Sequence, residues 1–453
     1  MNVINPATED VIATLEVDSQ ESVLLKLETL RVGQKKWKST DVAKRLEIIK
    51  RFSELVKSNL EALASTLTSE TGKPIKQSRG EILGALNRVH HLEQNAVKWL
   101  KDEVLVEANT SEMITHEPLG VIANISAWNF PYNVGFNVFL YALVAGNAVL
   151  YKPSEYATQT GLKLEKLLLE AGIPSDVFKT IIGGGEVGQY LLESDLDGYF
   201  FTGSHKTGVH IAQSVAHKLV PVQLELGGKD PLYIADDVVD VKQAAINAAE
   251  GAFYNNGQSC CAVERVYVGE HIYDDFVSHF VEEVKSYTVG DPYKENTFLG
   301  PLTRRPQIEV ILNQVKDAVE KGAKILTGGK EIFQRGYYLE PTVLVNVDHG
   351  MEIMKEESFG PVIGIQKVKS DEEATALMLD TGYGLTSAVF SSDEGRAKKI
   401  LDQMDTGTVY WNCCDRVSPN VPWSGRKRSG LGSTLSYMGI RAFTQPKAYH
   451  LRN

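Results

Sequence analysis

Cys260 and Cys261 stand side by side in the stretch Asn255-Asn-Gly-Gln-Ser-Cys-Cys-Ala-Val-Glu-Arg-Val266. A cysteine thiolate is a strong nucleophile near neutral pH, so one of the two is a candidate for attack on an electrophilic carbon. The competing reading is a small buried hydrophobe, the ordinary state of a free cysteine. The remaining cysteines, Cys413 and Cys414, form a second adjacent pair. Neither pair has the Cys-x-x-Cys spacing of a zinc site or belongs to a disulfide framework, so no metal is expected and a reducing cytoplasm suits the four thiols.

Other stretches offer complementary chemistry. Glu225 lies in Leu224-Glu-Leu-Gly-Gly-Lys229, an apolar strand running into paired glycines. Burial there raises a carboxyl pKa toward the range of a general base; a structural ion pair is the alternative. Asn129, in Trp128-Asn-Phe-Pro131, carries amide N–H groups suited to an oxyanion, or is a turn former. Lys152-Pro-Ser-Glu155 closes an apolar run, where a Lys and a Glu three residues on can hold ribose hydroxyls or form a solvated strand end. Gly203-Ser-His-Lys-Thr-Gly208 is a glycine turn entering a helix, whose free N–H groups attract phosphate, although the spacing is not Gly-x-Gly-x-x-Gly and an ordinary tight turn is the alternative.

The elements that must position these residues follow from hydrophobic periodicity. A chain of 453 residues, 43% hydrophobic, is expected to divide into two or three domains. Leu46, Ile49, Phe52, Val56, Leu60, Leu63 and Leu67 recur every three or four residues and predict one long amphipathic helix. After Gly120, short apolar runs alternate with helical segments: VIANIS, AVLYKPS, VFKTII, GYFFTGS and VPVQLEL. That is βαβ chaining and predicts a parallel sheet. A second set, ERVYVGE, EPTVLVNV, PVIGIQKV, TSAVFSS and GTVYWN, predicts a second α/β domain, with the cleft between them as the place for ligands. The net charge of −11 disfavours a nucleic-acid groove. No apolar run reaches the length of a membrane helix, and the start MNVINPATED lacks the regions of a signal peptide, so a soluble protein is expected.

Taken in order, WNFP, KPSE, FTGS, ELGGK, Gly-Gln-x-Cys, EESFGP and Ser424-Gly-Arg-Lys-Arg-Ser-Gly430 resemble the NAD(P)-dependent aldehyde dehydrogenase superfamily, nearest to its short bacterial succinate-semialdehyde-dehydrogenase-like members. The resemblance spans most of the chain from Asn5-Pro-Ala-Thr8 onward. It implies an α/β fold with a Rossmann-type dinucleotide-binding domain (1–100 and 119–227), an α/β catalytic domain (228–428) and a small β oligomerisation element (101–118 and 440–453). It also implies a homodimer or homotetramer with neither nucleic-acid nor membrane partner.

Carried over residue by residue, the resemblance makes Cys260 the nucleophile and Cys261 its bystander. Asn129 with the Cys260 backbone N–H becomes the oxyanion site, and Glu225 the base that activates water for thioester hydrolysis. Trp128, Lys152, Ser154, Glu155, Thr202, Gly203, Ser204, Glu357 and Phe359 become cofactor contacts. NAD is expected to be preferred, because Glu155 repels a 2′-phosphate, with NADP possible through Lys152. Tyr132, Asn133, Tyr254, Cys261, Arg416 and Trp423 become the substrate pocket. Gly432-Ser-Thr434 departs from the family's Gly-Arg-Glu and removes an acid that relays protons. Asn137 and Tyr254 occupy positions where succinate-semialdehyde enzymes often place carboxylate-binding arginines, so a small uncharged or aromatic aldehyde is expected. The alternatives are succinic semialdehyde held by Arg416, a CoA-acylating dehydrogenase, and a non-oxidative cysteine acyl transferase.

Overall fold

Five strands form the parallel part of the first sheet: Val121–Ile125, Ala148–Lys152, Phe178–Thr180, Gly198–Thr202 and Val222–Glu225. The computed structural model that establishes this describes residues 1–107 and 110–452. Val121–Ile125 lies centrally, with Ala148–Lys152 and Phe178–Thr180 to one side and Gly198–Thr202 and Val222–Glu225 to the other. The winding direction therefore reverses between Val121–Ile125 and Gly198–Thr202. Connections on either side of such a point leave to opposite faces, opening a crevice outside the carboxyl ends of the strands. Ser126 to Asn129 leave one of these strands, and Gly203 and Ser204 the other. Every residue of Val121–Ile125 and of Ala148–Lys152 is buried, as expected of parallel strands covered on both faces.

The second sheet runs Lys324–Thr327, Thr342–Val345, Val362–Val368, Val263–Gly269, Asp230–Ile234, Thr386–Phe390 and Thr408–Trp411 in spatial order, all neighbours parallel except the first pair. Asp230–Ile234 was not evident as a strand because its Asp-Pro start reads as a turn. The buried Asp230 carboxyl is satisfied by the Thr386 N–H at 3.1 Å and hydroxyl at 2.6 Å, and burial raises its pKa to about 8. The chain returns to the first sheet at its end: Gly430–Leu431 pairs antiparallel with Val222–Glu225, and Leu435, Ile440 and Phe443 join the core of that lobe.

The long amphipathic helix expected over Leu46 to Leu67 is two helices, Val42–Ser58 and Leu60–Thr71. Asn59 breaks it: its side-chain amide donates to the Leu55 carbonyl at 2.9 Å, competing with continuation of the helix. The apolar stripe survives the break, since Ile49, Phe52, Val56, Leu63 and Leu67 all enter one core. Helix Ile75–Trp99 follows and flanks the site.

Glu103–Glu107, Thr110–Pro118 and Thr444–Arg452 form a separate antiparallel sheet in which Ala448 opposes Ile114. Of the residues expected in the oligomerisation element, Ala108, Asn109 and Asn453 lie outside the described residues. Among the described residues no helix is long and apolar enough to cross a membrane.

Candidate active site

The turn Trp128-Asn-Phe-Pro131 is pinned from behind by a buried ion pair. Lys73 Nζ binds Glu81 and donates to the Asn129 carbonyl at 2.6 Å, while Glu81 accepts the Tyr132 N–H at 2.9 Å. Both side chains are fully enclosed, so each charge depends on the other to offset its desolvation. Lys73 Nζ also lies 3.8 Å from the centroid of the Phe130 ring. The result fixes the Asn129 side chain, whose Nδ2 donates to the Gln258 carbonyl at 3.1 Å. An amide N–H₂ has two donors, and this bond orients the group while employing one of them.

Gln258 begins the nucleophile loop, and the Asn-Asn-Gly before it explains the loop's shape. Asn255, Asn256 and Gly257 take φ of 54°, 58° and 67°, a left-handed run that asparagine and glycine tolerate best. A Cβ at Gly257 would meet the Gly360 carbonyl oxygen at 2.2 Å, so this position accepts glycine alone. Asn255 Nδ2 bonds the Asn129 and Gln258 carbonyls at 3.2 and 3.1 Å, and Asn256 Nδ2 bonds those of Gly300 and Pro301 at 2.7 and 2.9 Å. Cys260 emerges partly exposed, whereas Cys261 is buried. Cys261 Sγ donates to Asp415 Oδ1 at 3.0 Å. Its hydrogen bond with Cys260, and then burial, hold the Cys261 thiol well above the ordinary range, keeping it protonated. Burial likewise raises the Asp415 carboxyl to about 7.

Glu225 ends its strand beside Thr202, and its carbonyl accepts the Gly203 N–H at 3.0 Å. Its carboxyl is enclosed, and desolvation raises its pKa to about 8. Oε1 meets Gln223 Nε2 and the Thr434 hydroxyl, each at a long 3.5 Å, and Oε2 has no partner among the described residues. Thr434, one of the departures from the family pattern, thus faces Glu225 with a neutral hydroxyl. The segment continues to Gly228, where a Cβ would come within 2.7 Å of the Cys260 carbonyl oxygen.

Of the residues expected at the cofactor, Lys152 ends strand Ala148–Lys152 and Gly203 and Ser204 follow strand Gly198–Thr202, at the carboxyl edge of the first sheet. Ser204 caps helix His205–Val215, and a Cβ at Gly203 would strike the Phe201 ring at 2.4 Å. Glu357 Oε1 accepts the Gly228 N–H at 3.1 Å, and a Cβ at Gly227 would meet that carboxylate at 2.1 Å. Burial, reinforced by Glu264, pushes the Glu357 carboxyl up. Glu264 also accepts the N–H groups of Ser358 and Phe359, holding Phe359 at φ 48° with its ring edge-on to Trp128 at 5.6 Å. Lys152 is buried, and desolvation lowers its pKa. Ser154 Oγ donates to Glu155 Oε2 at 3.2 Å. Glu155 lines a 550 Å³ cleft with Tyr156, Gly184, Gly185 and Arg304. Nothing approaches within 4 Å of a Cβ built at Gly184 or Gly185, so the cleft is open on that side.

On the other side of Cys260 opens a cavity of about 370 Å³. Of the six residues expected at the substrate pocket, Asn133, Tyr254, Cys261, Arg416 and Trp423 line this cavity. Tyr132 does not: its position opens helix Pro131–Gly135 and turns inward, its hydroxyl donating to the Leu63 carbonyl at 3.4 Å. Phe130 supplies that wall instead, stacked on Tyr254 at 6.5 Å between centroids. Asn129 and Glu225 lie outside this lining. Arg416 is exposed at the rim. Four further charged residues line the cavity: Glu81, Arg88, Glu250 and Asp415. The first two lie on a helix far upstream, and no local motif marked them.

The aldehyde dehydrogenase family model matches residues 1–449. Aminoaldehyde dehydrogenase 2 of Solanum lycopersicum is 35% identical over 98% of this chain and 91% of its own length. Succinate-semialdehyde dehydrogenase [NADP(+)] of Deinococcus radiodurans is 33% identical over 98% of this chain and 93% of its own. Among solved structures, betaine aldehyde dehydrogenase from Staphylococcus aureus in complex with NAD+ superposes with a TM-score of 0.95 at 30% identity, over 100% of this chain and 92% of that one.

Proposed function

The chain belongs to the aldehyde dehydrogenase family, and we propose that it oxidises a compact aldehyde to the carboxylic acid, with NAD(P) as hydride acceptor and water as acyl acceptor. In this reading the Cys260 thiolate attacks the aldehyde carbon. The developing oxyanion takes hydrogen bonds from the spare Asn129 amide N–H and the Cys260 backbone N–H. Bound NAD(P) would supply hydride acceptance, by which a Cys260 thiohemiacetal becomes the thioester; Thr202, Gly203, Ser204 and Glu357 would hold its nicotinamide half and Lys152, Ser154 and Glu155 its adenosine ribose. Ionised Glu225 then takes a proton from water as the water oxygen bonds the thioester carbon; the acid leaves and the thiol returns. A base here supports hydrolysis over transfer to CoA, and the open cleft at Glu155 supports oxidation over simple acyl transfer.

The observation that carries the reading is the Asn129–Gln258 hydrogen bond, which sets an oriented amide two residues from a partly exposed cysteine. Its test is substitution of each cysteine. Cys260→Ala should abolish aldehyde-dependent NADH release, while Cys261→Ala should retain most of it; equal loss in both would refute the assignment.

Glu155 beside the adenosine ribose supports a preference for NAD, since its carboxylate repels a 2′-phosphate. A homodimer or homotetramer is supported by the outlying sheet, whose edge strand Glu103–Glu107 leaves Val104 and Leu105 58% and 56% exposed. A cytoplasmic setting fits the four free thiols. Phe130, Tyr254 and Trp423 favour a small substrate. The expectation of an uncharged or aromatic aldehyde, however, assumed a cavity without an interior cation, and Arg88 is such a cation.

A further inference from the structure

Helix Ile75–Trp99 turns Gly80, Glu81 and Arg88 toward the cavity, the last two separated by seven residues and so sharing one helix face. Glu81 is neutralised by Lys73. Arg88 has no carboxylate partner among the described residues. Its one hydrogen bond there runs from Nη1 to Asn137 Oδ1 at 3.1 Å. A guanidinium has five N–H donors, so most of this one's capacity remains unspent at the cavity wall. Burial depresses its pKa without threatening its charge, because an arginine starts so high. The other charges on the wall are differently disposed. Glu250 and Arg416 are exposed and screened by solvent. Asp415 already accepts hydrogen bonds from Cys261 and, at 3.4 Å, from Ser259.

We propose that Arg88, oriented by Asn137, binds a carboxylate at the far end of the aldehyde, making the substrate class a short oxo acid. This rests on the aldehyde oxidation proposed above and deepens it. The N–H groups that Asn137 leaves unused match a carboxylate's two oxygens, and a planar fork reads such a group better than a point charge does. Phe130, Tyr254 and Trp423 then pack the carbon chain between carboxylate and aldehyde. Arg416 at the rim acts in capture of the anion and is not needed to hold it.

The test compares kcat/KM for 4-oxobutanoate and butanal, two aldehydes of equal length with and without the carboxylate, in the wild type, Arg88→Gln and Arg88→Lys. The wild type should prefer 4-oxobutanoate. Arg88→Gln should lower the ratio of the two by ~100-fold while butanal turnover stays within about threefold, which also shows that the variant is folded. Arg88→Lys, keeping charge without the fork, should fall between. An unchanged ratio would overturn the proposal, as would equal loss on both aldehydes, which would move Arg88 to the thiol or the fold. A wild type that oxidises butanal but does not prefer 4-oxobutanoate would overturn the Arg88 assignment alone. Absence of NADH release with either aldehyde would bring down the oxidation reading with it.

Discussion

Glu225→Gln isolates the second half of the reaction. A carboxyl with a pKa of about 8 is only about 1% ionised at pH 6 and half ionised at pH 8, so base-catalysed deacylation in the wild type should rise roughly 50-fold across that interval. Gln keeps the shape and loses the base: deacylation should slow by roughly 10²–10⁴ and become flat with pH. Attack by Cys260 and hydride transfer do not need Glu225, so rapid mixing should still give a burst of NADH close to one per active site, followed by weak turnover. The same carboxyl has a stability signature. Its folded pKa lies above the unfolded 4.5, so the folded chain binds the proton more tightly, and stability is lost as pH rises from about 4.5 toward 8. The ceiling on that loss is about 5 kcal/mol. Glu225→Gln does not pay it, so the variant's melting temperature should gain on the wild type's as pH increases through that window. A wild-type deacylation rate that is flat between pH 6 and 8, or a missing burst in the variant, would refute the role given to Glu225.

Removing the Glu155 charge by Glu155→Gln should raise the NADP-to-NAD ratio of kcat/KM by ~10-fold, worth about 1.4 kcal/mol at the ribose; an unchanged ratio would show that the carboxylate does not face the 2′ position. Lys73→Met strands Glu81 in the interior and should cost ~3–5 kcal/mol of stability, read as a lowered melting temperature. The same variant should also lose kcat, since Lys73 holds the Asn129 carbonyl; full retention of both would separate the ion pair from the site.

What the sequence revealed is what short motifs encode. Cys260, Asn129, Glu225 and the strand-end residues around Lys152 and Thr202 each sit in a stretch whose neighbours reveal its geometry, and alternating apolar runs exposed most strands of both sheets. Lys73, Glu81 and Arg88 escaped because their roles depend on contacts with Asn129, Tyr132 and Asn137, 56, 51 and 49 residues away. Periodicity could not say which face of helix Ile75–Trp99 meets the cavity. Tyr132 was misplaced for a related reason: the resemblance carried it to the pocket by position, whereas Pro131 starts a helical turn that sends the next side chain into the core. Asn59 shows the opposite limit, where an unbroken apolar stripe concealed a break made by one side-chain amide.

The hydrogen bond from Asn129 to the Gln258 carbonyl joins residues 129 positions apart and ties the turn after a strand of one sheet to the loop before a strand of the other. In the proposed mechanism the oxyanion donor follows a strand of one sheet and the nucleophile precedes a strand of the other, although both cysteines pack against the core of the first lobe, so neither sheet by itself holds the pair. Catalytic competence becomes a property of the seam between them. A slip along that seam should silence the chemistry while both sheets and their helices remain intact, so activity should be lost at a lower temperature or denaturant concentration than secondary structure.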